Sequence, residues 1–176
     1  MSILNSDPGF ARGQTLGVKE PEQGKSVTGT VKVFTDSDPR TVNAGVFLSN
    51  RSVTCVAVRN TSGAPLLPGA VVKFKKAAIL DEVDGAAAAA TDAPLGVVDE
   101  YLPATGVANN DVCWVVVSGP TAINTAATLA PGALVTATAG AAATGTAANA
   151  IGVVITAPAN GKVRTLVNTV YGHSAA

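Results

Sequence analysis

The side chains in this sequence that could do chemistry are few and scattered. There is one histidine, His173, close to the C-terminal end. Nucleophilic catalysis by Ser or Cys needs a base held beside the nucleophile, and a histidine in that position is expected to face solvent. Cys55 and Cys113 each lie inside apolar, strand-like runs, where free thiols are usually buried. Two separated cysteines and one histidine do not make a zinc set. Neither a Walker loop nor a dinucleotide-binding glycine pattern occurs. The acidic residues gather as Asp36 and Asp38, as Asp81, Glu82 and Asp84 before Gly85, and as Asp99 and Glu100. Asp81-Glu-Val-Asp-Gly85 could offer oxygens to calcium but lacks EF-hand spacing; it reads as a solvated turn. Paired carboxylates could hydrolyse a glycoside, yet rings to stack on sugars are scarce. No enzyme activity, metal or cofactor is expected. Asn50-Arg-Ser52 and Asn60-Thr-Ser62 match the glycosylation pattern, which matters only in a secreted chain.

Lys73, Lys75 and Lys76 surround Phe74. On a strand, Lys73 and Lys75 would share one face and Phe74 the other. Such lysines guard an edge against pairing, or form a patch for an acidic partner. The single tryptophan, Trp114, would share a strand face with Val112 and Val116, which predicts a place in the core.

Composition narrows the classes further. Among 176 residues, 12 Lys and Arg balance 12 Asp and Glu, and only 14% are charged. A zero balance excludes a partner held by counterion release, so no nucleic acid is expected. A mean hydropathy of +0.35 argues against disorder. The apolar 47% is mostly Ala and Val, with only 4% aromatics, and Leu, Glu, Lys and Arg are too scarce for a coiled coil or helical bundle. From Val112 to Gly161 there is no charged residue, but Thr, Asn, Gly and Pro interrupt the stretch too often for a membrane span. Surfaces so poor in charge are often covered by a partner or by copies of the same chain. Met1 to Pro8 shows no basic and apolar leader pattern, so synthesis in a reducing cytoplasm is expected.

The elements that must carry these residues read as β throughout. Residues 1–45 are rich in Gly and Pro and poor in large apolar side chains. They predict an extended arm without its own core, followed by one strand over Val27–Phe34. Val53–Val58 and Val71–Lys76 have strand character, and Val112–Ser118 is a nearly continuous apolar run suited to a strand buried on both faces. Two alanine runs, Gly85–Ala90 and Gly140–Gly145, are too short to nucleate helices and predict loops or edges, with at most one helical turn in the first.

An internal repeat is the most specific feature. Leu67-Pro-Gly-Ala-Val-Val72 matches Ala130-Pro-Gly-Ala-Leu-Val135, and Leu95-Gly-Val-Val98 matches Ile151-Gly-Val-Val154. Ala108-Asn-Asn-Asp-Val112 then corresponds to Ala159-Asn-Gly-Lys-Val163, each running into a further strand. The Pro-Gly pairs form turns in which Pro presets φ and Gly supplies a positive one. The expected fold is all-β, a small barrel or sandwich of two weakly repeated three-strand units, about 66–119 and 129–170. It would span residues 46–172, with the N-terminal arm before it and a tail at 173–176.

These motifs, Pro68-Gly69, Pro131-Gly132, Gly96-Val-Val98 and Gly152-Val-Val154 with their Ala-rich connectors, resemble head decoration (capsid cement) proteins of tailed bacteriophages over about residues 46–170. The resemblance implies a non-enzymatic virion protein on the outer capsid surface, made in the host cytoplasm. Its partners would be the major capsid protein and itself, as a homotrimer or dimer, with no membrane involved. It would hold adjacent capsomers together. The arm residues Phe10, Arg12, Leu16, Val18 and Lys19 are candidates for lying on the capsid, and Lys73, Lys75 and Lys76 for a partner patch. A second reading is a carbohydrate-binding or adhesive β module of a surface fibre.

Overall fold

The computed structural model describes residues 10–17, 27–35, 52–75, 80–92 and 94–169. Ten strands account for about half of them: β1 Val31–Thr35, β2 Ser52–Asn60, β3 Val71–Phe74, β4 Glu82–Ala86, β5 Leu95–Val98, β6 Val112–Asn124, β7 Leu134–Thr138, β8 Ala141–Thr144, β9 Gly152–Ala159 and β10 Lys162–Asn168. One 3-10 turn, Ala90–Asp92, is the helical element among the described residues. The strands form one sheet in the order β1-β2-β4-β3-β5-β6-β10-β9-β7-β8, with a further β2–β6 pairing. The all-β expectation therefore holds.

That further pairing closes a ring of β2, β4, β3, β5 and β6. The parallel β2–β4 contact is short, joining Arg59 to Glu82 and Asn60 to Val83. Every ring strand sends alternate side chains into one cluster, among them Val56, Val72, Val83, Val98 and Val115. That cluster is the ring's interior. The other faces of β2, β5 and β6 contribute Val53, Cys55, Val97, Trp114 and Val116 to a second cluster, completed by Val135, Ala137, Val154 and Val163 from β7, β9 and β10. The second cluster glues the ring to the remaining sheet. It explains why Val112–Val117 is a continuous apolar run: one face of β6 fills the ring and the other fills the layer outside it.

The repeat is carried into three dimensions at the level of register. Val71 pairs with Val97 and Val72 with Gly96 in the first unit; Leu134 pairs with Val153 and Val135 with Gly152 in the second. Gly69 N–H donates to Val98 O at 2.9 Å, and Gly132 N–H donates to Val154 O at 2.9 Å. Val98 N–H returns a bond to Ala70 O and Val154 N–H to Ala133 O, both at 2.9 Å. The turn glycines adopt φ of 78° and 85°, as the Pro-Gly reading requires. Gly96 and Gly152 have a different reason to be glycine. A Cβ at Gly96 would collide with the Val115 side chain, and one at Gly152 would lie 2.5 Å from Leu166 O. The neighbouring strand passes too close for any side chain.

Three expectations are corrected. The units have four strands rather than three, because the Ala-rich connectors themselves supply β4 and β8, which pair with β3 and β7. In Ala141–Thr144 alanine's helix propensity loses to a ladder of backbone bonds on a preformed neighbour, giving an edge strand, while the first run ends in one 3-10 turn at Ala90–Asp92, as expected. Next, the Asn turns align one residue differently. Asn110 and Asn160, with φ of 66° and 52°, are the equivalent positions. Lastly, the first strand begins at Val31 rather than Val27, because Gly29 turns the chain at φ 83°. Its valines, Val31 and Val33, are exposed, while the larger Phe34 takes the inward side and meets Trp114 edge-on at 5.2 Å between centroids.

Candidate functional site

Among the described residues, the longest-range polar assembly lies where residues 10–17 cross the end of β6. Phe10 is 5% exposed and stacks on Trp114, with centroids 4.7 Å apart and planes at 19°. The Trp114 indole N–H donates to Phe10 O at 3.1 Å, satisfying the one polar atom of a wholly buried ring. Two residues on, the Arg12 guanidinium is buried. Its Nε donates to Asp99 Oδ1 at 3.0 Å and its Nη2 lies 3.0 Å from the same oxygen. The guanidinium also lies 4.5 Å from the centre of the Tyr101 ring. Gly13 N–H donates to Asp99 Oδ2 at 2.6 Å, Leu16 N–H to Val112 O at 2.9 Å, and Gly17 N–H to Asp111 Oδ1 at 2.7 Å.

The charges continue beyond Arg12. Glu100 accepts from Arg164 Nη1 at 2.8 and 3.0 Å and from Ala122 N–H at 3.1 Å, and lies 3.8 Å from Arg12 Nη2. Two guanidinium groups and two carboxylates thus form a neutral buried row that ties the N-terminal segment, the loop after β5 and β10 together. Burial raises the Glu100 pKa against the opposing pull of Arg164 and Arg12. Burial also works against the Arg12 charge, but Asp99, with smaller contributions from Cys55, Tyr101 and Glu100, outweighs it and raises the pKa further. A charge row of this kind costs desolvation and returns it only as a complete set. Its arrangement is structural: each acid is already filled by a guanidinium or a backbone N–H.

The sequence-derived candidates are distributed as follows. Phe10 is part of the core, Leu16 packs against it, and the Arg12 side chain is buried beside Asp99. The expectation of a coreless arm is corrected for residues 10–17, because Asp99, Asp111 and Trp114 provide partners distant in sequence. Val18, Lys19 and Lys76 lie outside the described residues, as do His173, Asp36 and Asp38. Lys73 is half-buried on β3, and Phe74 points into the ring interior, so the expected division of faces holds. Lys75 pairs with Glu82 at 3.2 Å on the next strand, a solvent-exposed contact that shares out its charge. Lys73 and Lys75 are not brought together with Arg12.

Among the described residues no group of three His, Cys, Asp or Glu side chains is placed to hold a metal ion. Cys55 and Cys113 are both buried free thiols, as expected. Burial pushes Cys55 up to about 12, and Cys113 upward as well. Asn60 is wholly buried; its side-chain amide donates to Ala64 O, Val107 O and Ala108 O while its Oδ1 accepts from Ser62. The glycosylation pattern at this position therefore marks a loop clamp. Asp99 and Asp111 were legible only as acidic residues at strand ends. No local signal reveals that they receive the backbone of residues 13 and 17.

No family model matches the chain, and no curated protein matches it. One solved structure is similar, "The crystal structure of head fiber gp8.5 N base in bacteriophage phi29", with 14% sequence identity and a TM-score of 0.46. The match covers 66% of this chain and 95% of that one.

Proposed function

We propose that this protein is a structural component of a tailed-bacteriophage head, bound to the outside of the icosahedral shell and bridging adjacent capsomers. The observation that carries this reading is the duplicated Pro-Gly/Gly-Val-Val unit. The motifs by which the sequence resembles capsid decoration proteins are those that set the turn, the register and the close strand approach in both halves. The carboxylates of Asp99, Glu100 and Asp111 are engaged in holding the fold. The exposed residues between Asn124 and Gly161 add a stretch of surface without charged side chains.

A cement works by many weak contacts repeated by symmetry, each strengthened once its neighbours are engaged. A rigid double unit supports this, because little order has to be gained on binding. Co-sedimentation of the purified full chain with expanded and unexpanded phage heads tests the proposal. Saturable binding to expanded heads, with a raised temperature of genome release, is expected. Absence of binding to any head form sinks it.

The fibre-module reading predicts rings presented to a glycan. Among the described residues, Phe10, Phe74 and Trp114 are buried, Phe34 packs on the core, and Tyr101 lies under Arg12. This weighs against sugar recognition by stacking, and a glycan array with specific hits would reverse the preference.

A further inference from the structure

Residues 10–17 sit on the body as a peptide ligand sits in a groove. They belong to no strand, and the order of the sheet is complete without them. Their polar attachments are Arg12 to Asp99 and Glu100, the N–H groups of Gly13, Leu16 and Gly17, and the carbonyl of Phe10. The groove residues also have partners within the body. Asp111 accepts from Val112 N–H at 2.7 Å, Asp99 from Tyr101 N–H at 3.5 Å, and Glu100 from Arg164 and Ala122. Trp114 meets Phe34 edge-on as well as Phe10. Each of these four therefore keeps a partner when the segment leaves. The segment likewise holds a turn of its own, with Ala11 N–H donating to Gln14 Oε1 at 3.1 Å.

We infer that the groove formed by Trp114, Tyr101, Asp99, Glu100 and Asp111 is a peptide-binding site, filled here in cis by residues 10–17. Its ligand is a protein segment with an aromatic residue, any residue, arginine and glycine in that order. Each position is read by a separate contact. The aromatic ring stacks on the Trp114 face at 4.7 Å. Ala11 is exposed, so the second position is unrestricted. The arginine bonds Asp99 through Nε and lies over the Tyr101 ring at 4.5 Å, which the point charge of a lysine does not reproduce. The glycine has φ 81°, and a Cβ there would lie 3.2 Å from Tyr101 O. A segment tethered in cis occupies the site at high effective concentration. An outside ligand therefore enters when the chain's own segment opens locally, as a unit separate from the sheet.

Two measurements on the full chain test this, and neither involves phage heads, so the proposed function is tested separately. In the wild type, the amides of Gly13, Leu16 and Gly17 are expected to exchange hydrogen together, at least about 10-fold faster than those of the β2–β6 ladder after correction for intrinsic rates. Exchange no faster than that ladder overturns the inference. The second measurement adds an end-capped synthetic peptide of residues 10–17 to the full chain carrying Phe10→Ala and Arg12→Ala, with Trp114 fluorescence as the readout. Saturable binding is expected, at least about 100-fold tighter than to the wild type, whose groove is filled. The same peptide carrying Arg12→Ala is expected to bind the variant about 100-fold more weakly, and one carrying Arg12→Lys about 10-fold. If the double variant does not fold, Arg12→Ala alone takes its place. A folded variant that does not bind, binding indifferent to the peptide's arginine, or equal binding to the wild type overturns the inference.

Discussion

Removing the Arg12 side chain tests whether residues 10–17 belong to the fold. In Arg12→Ala, Asp99 stays in place with a side chain 1% exposed and keeps the Gly13 N–H bond at 2.6 Å, but loses its counter-charge. An uncompensated buried charge of this kind costs about 3–5 kcal/mol. The stack on Tyr101 goes too, adding about 0.5–1 kcal/mol. Arg12→Lys keeps the charge and loses the Nε bond and the planar stack, and is expected to cost about 1–2 kcal/mol. The assay is urea unfolding followed by fluorescence. Trp114 is the one tryptophan, fully buried and stacked on Phe10, so it reports both the detachment of the segment and the opening of the core. The expected order is wild type, then Lys, then Ala. A loss under about 1 kcal/mol for Arg12→Ala, in the range of an exposed pair, refutes the reasoning. So does equal loss for Ala and Lys, which would mean that charge is not what Asp99 requires.

Three further outcomes follow. Gly152→Ala places a methyl group 2.5 Å from Leu166 O and is expected to cost about 1–3 kcal/mol by overpacking. Gly132→Ala, which meets nothing but has φ 85°, is expected to cost about 1 kcal/mol, so thermal melts should rank Gly152→Ala as the less stable. Cys55, pushed up to about 12 by burial, carries no thiolate at pH 8, so a thiol reagent should label neither cysteine until denaturant is added. Asp92 is held below its ordinary value by N–H bonds from Ala89 and Ala88. Its contribution is therefore present above pH 3.8 and lost as the pH falls through the lowered value. The stability gap between wild type and Asp92→Asn should narrow on acidification below that point, and a gap that widens refutes the assignment.

What the sequence determined by itself is local and repetitive. Pro-Gly turns, Gly-Val-Val strands and the two-faced burial of Val112–Val117 follow from backbone preference and period, and they appear where the repeat places them, with the Asn turns one residue away. Even the glycines of Gly-Val-Val were visible as a pattern, although their cause was not. It takes Val115 and Leu166, on other strands, to forbid a side chain there. The tertiary structure decided the rest because it depends on contacts between distant residues. The alanine run at 141–144 became the edge strand β8 only because β7 offered it an unpaired edge. A segment that reads as coreless is anchored because Asp99, Asp111 and Trp114 converge on residues 10–17 from across the chain. The charge desert, uniform in sequence, divides in space. Part of it is a strand buried along most of its length, and part is an open apolar face. Composition cannot separate the two, since burial is decided by which sheet packs on which.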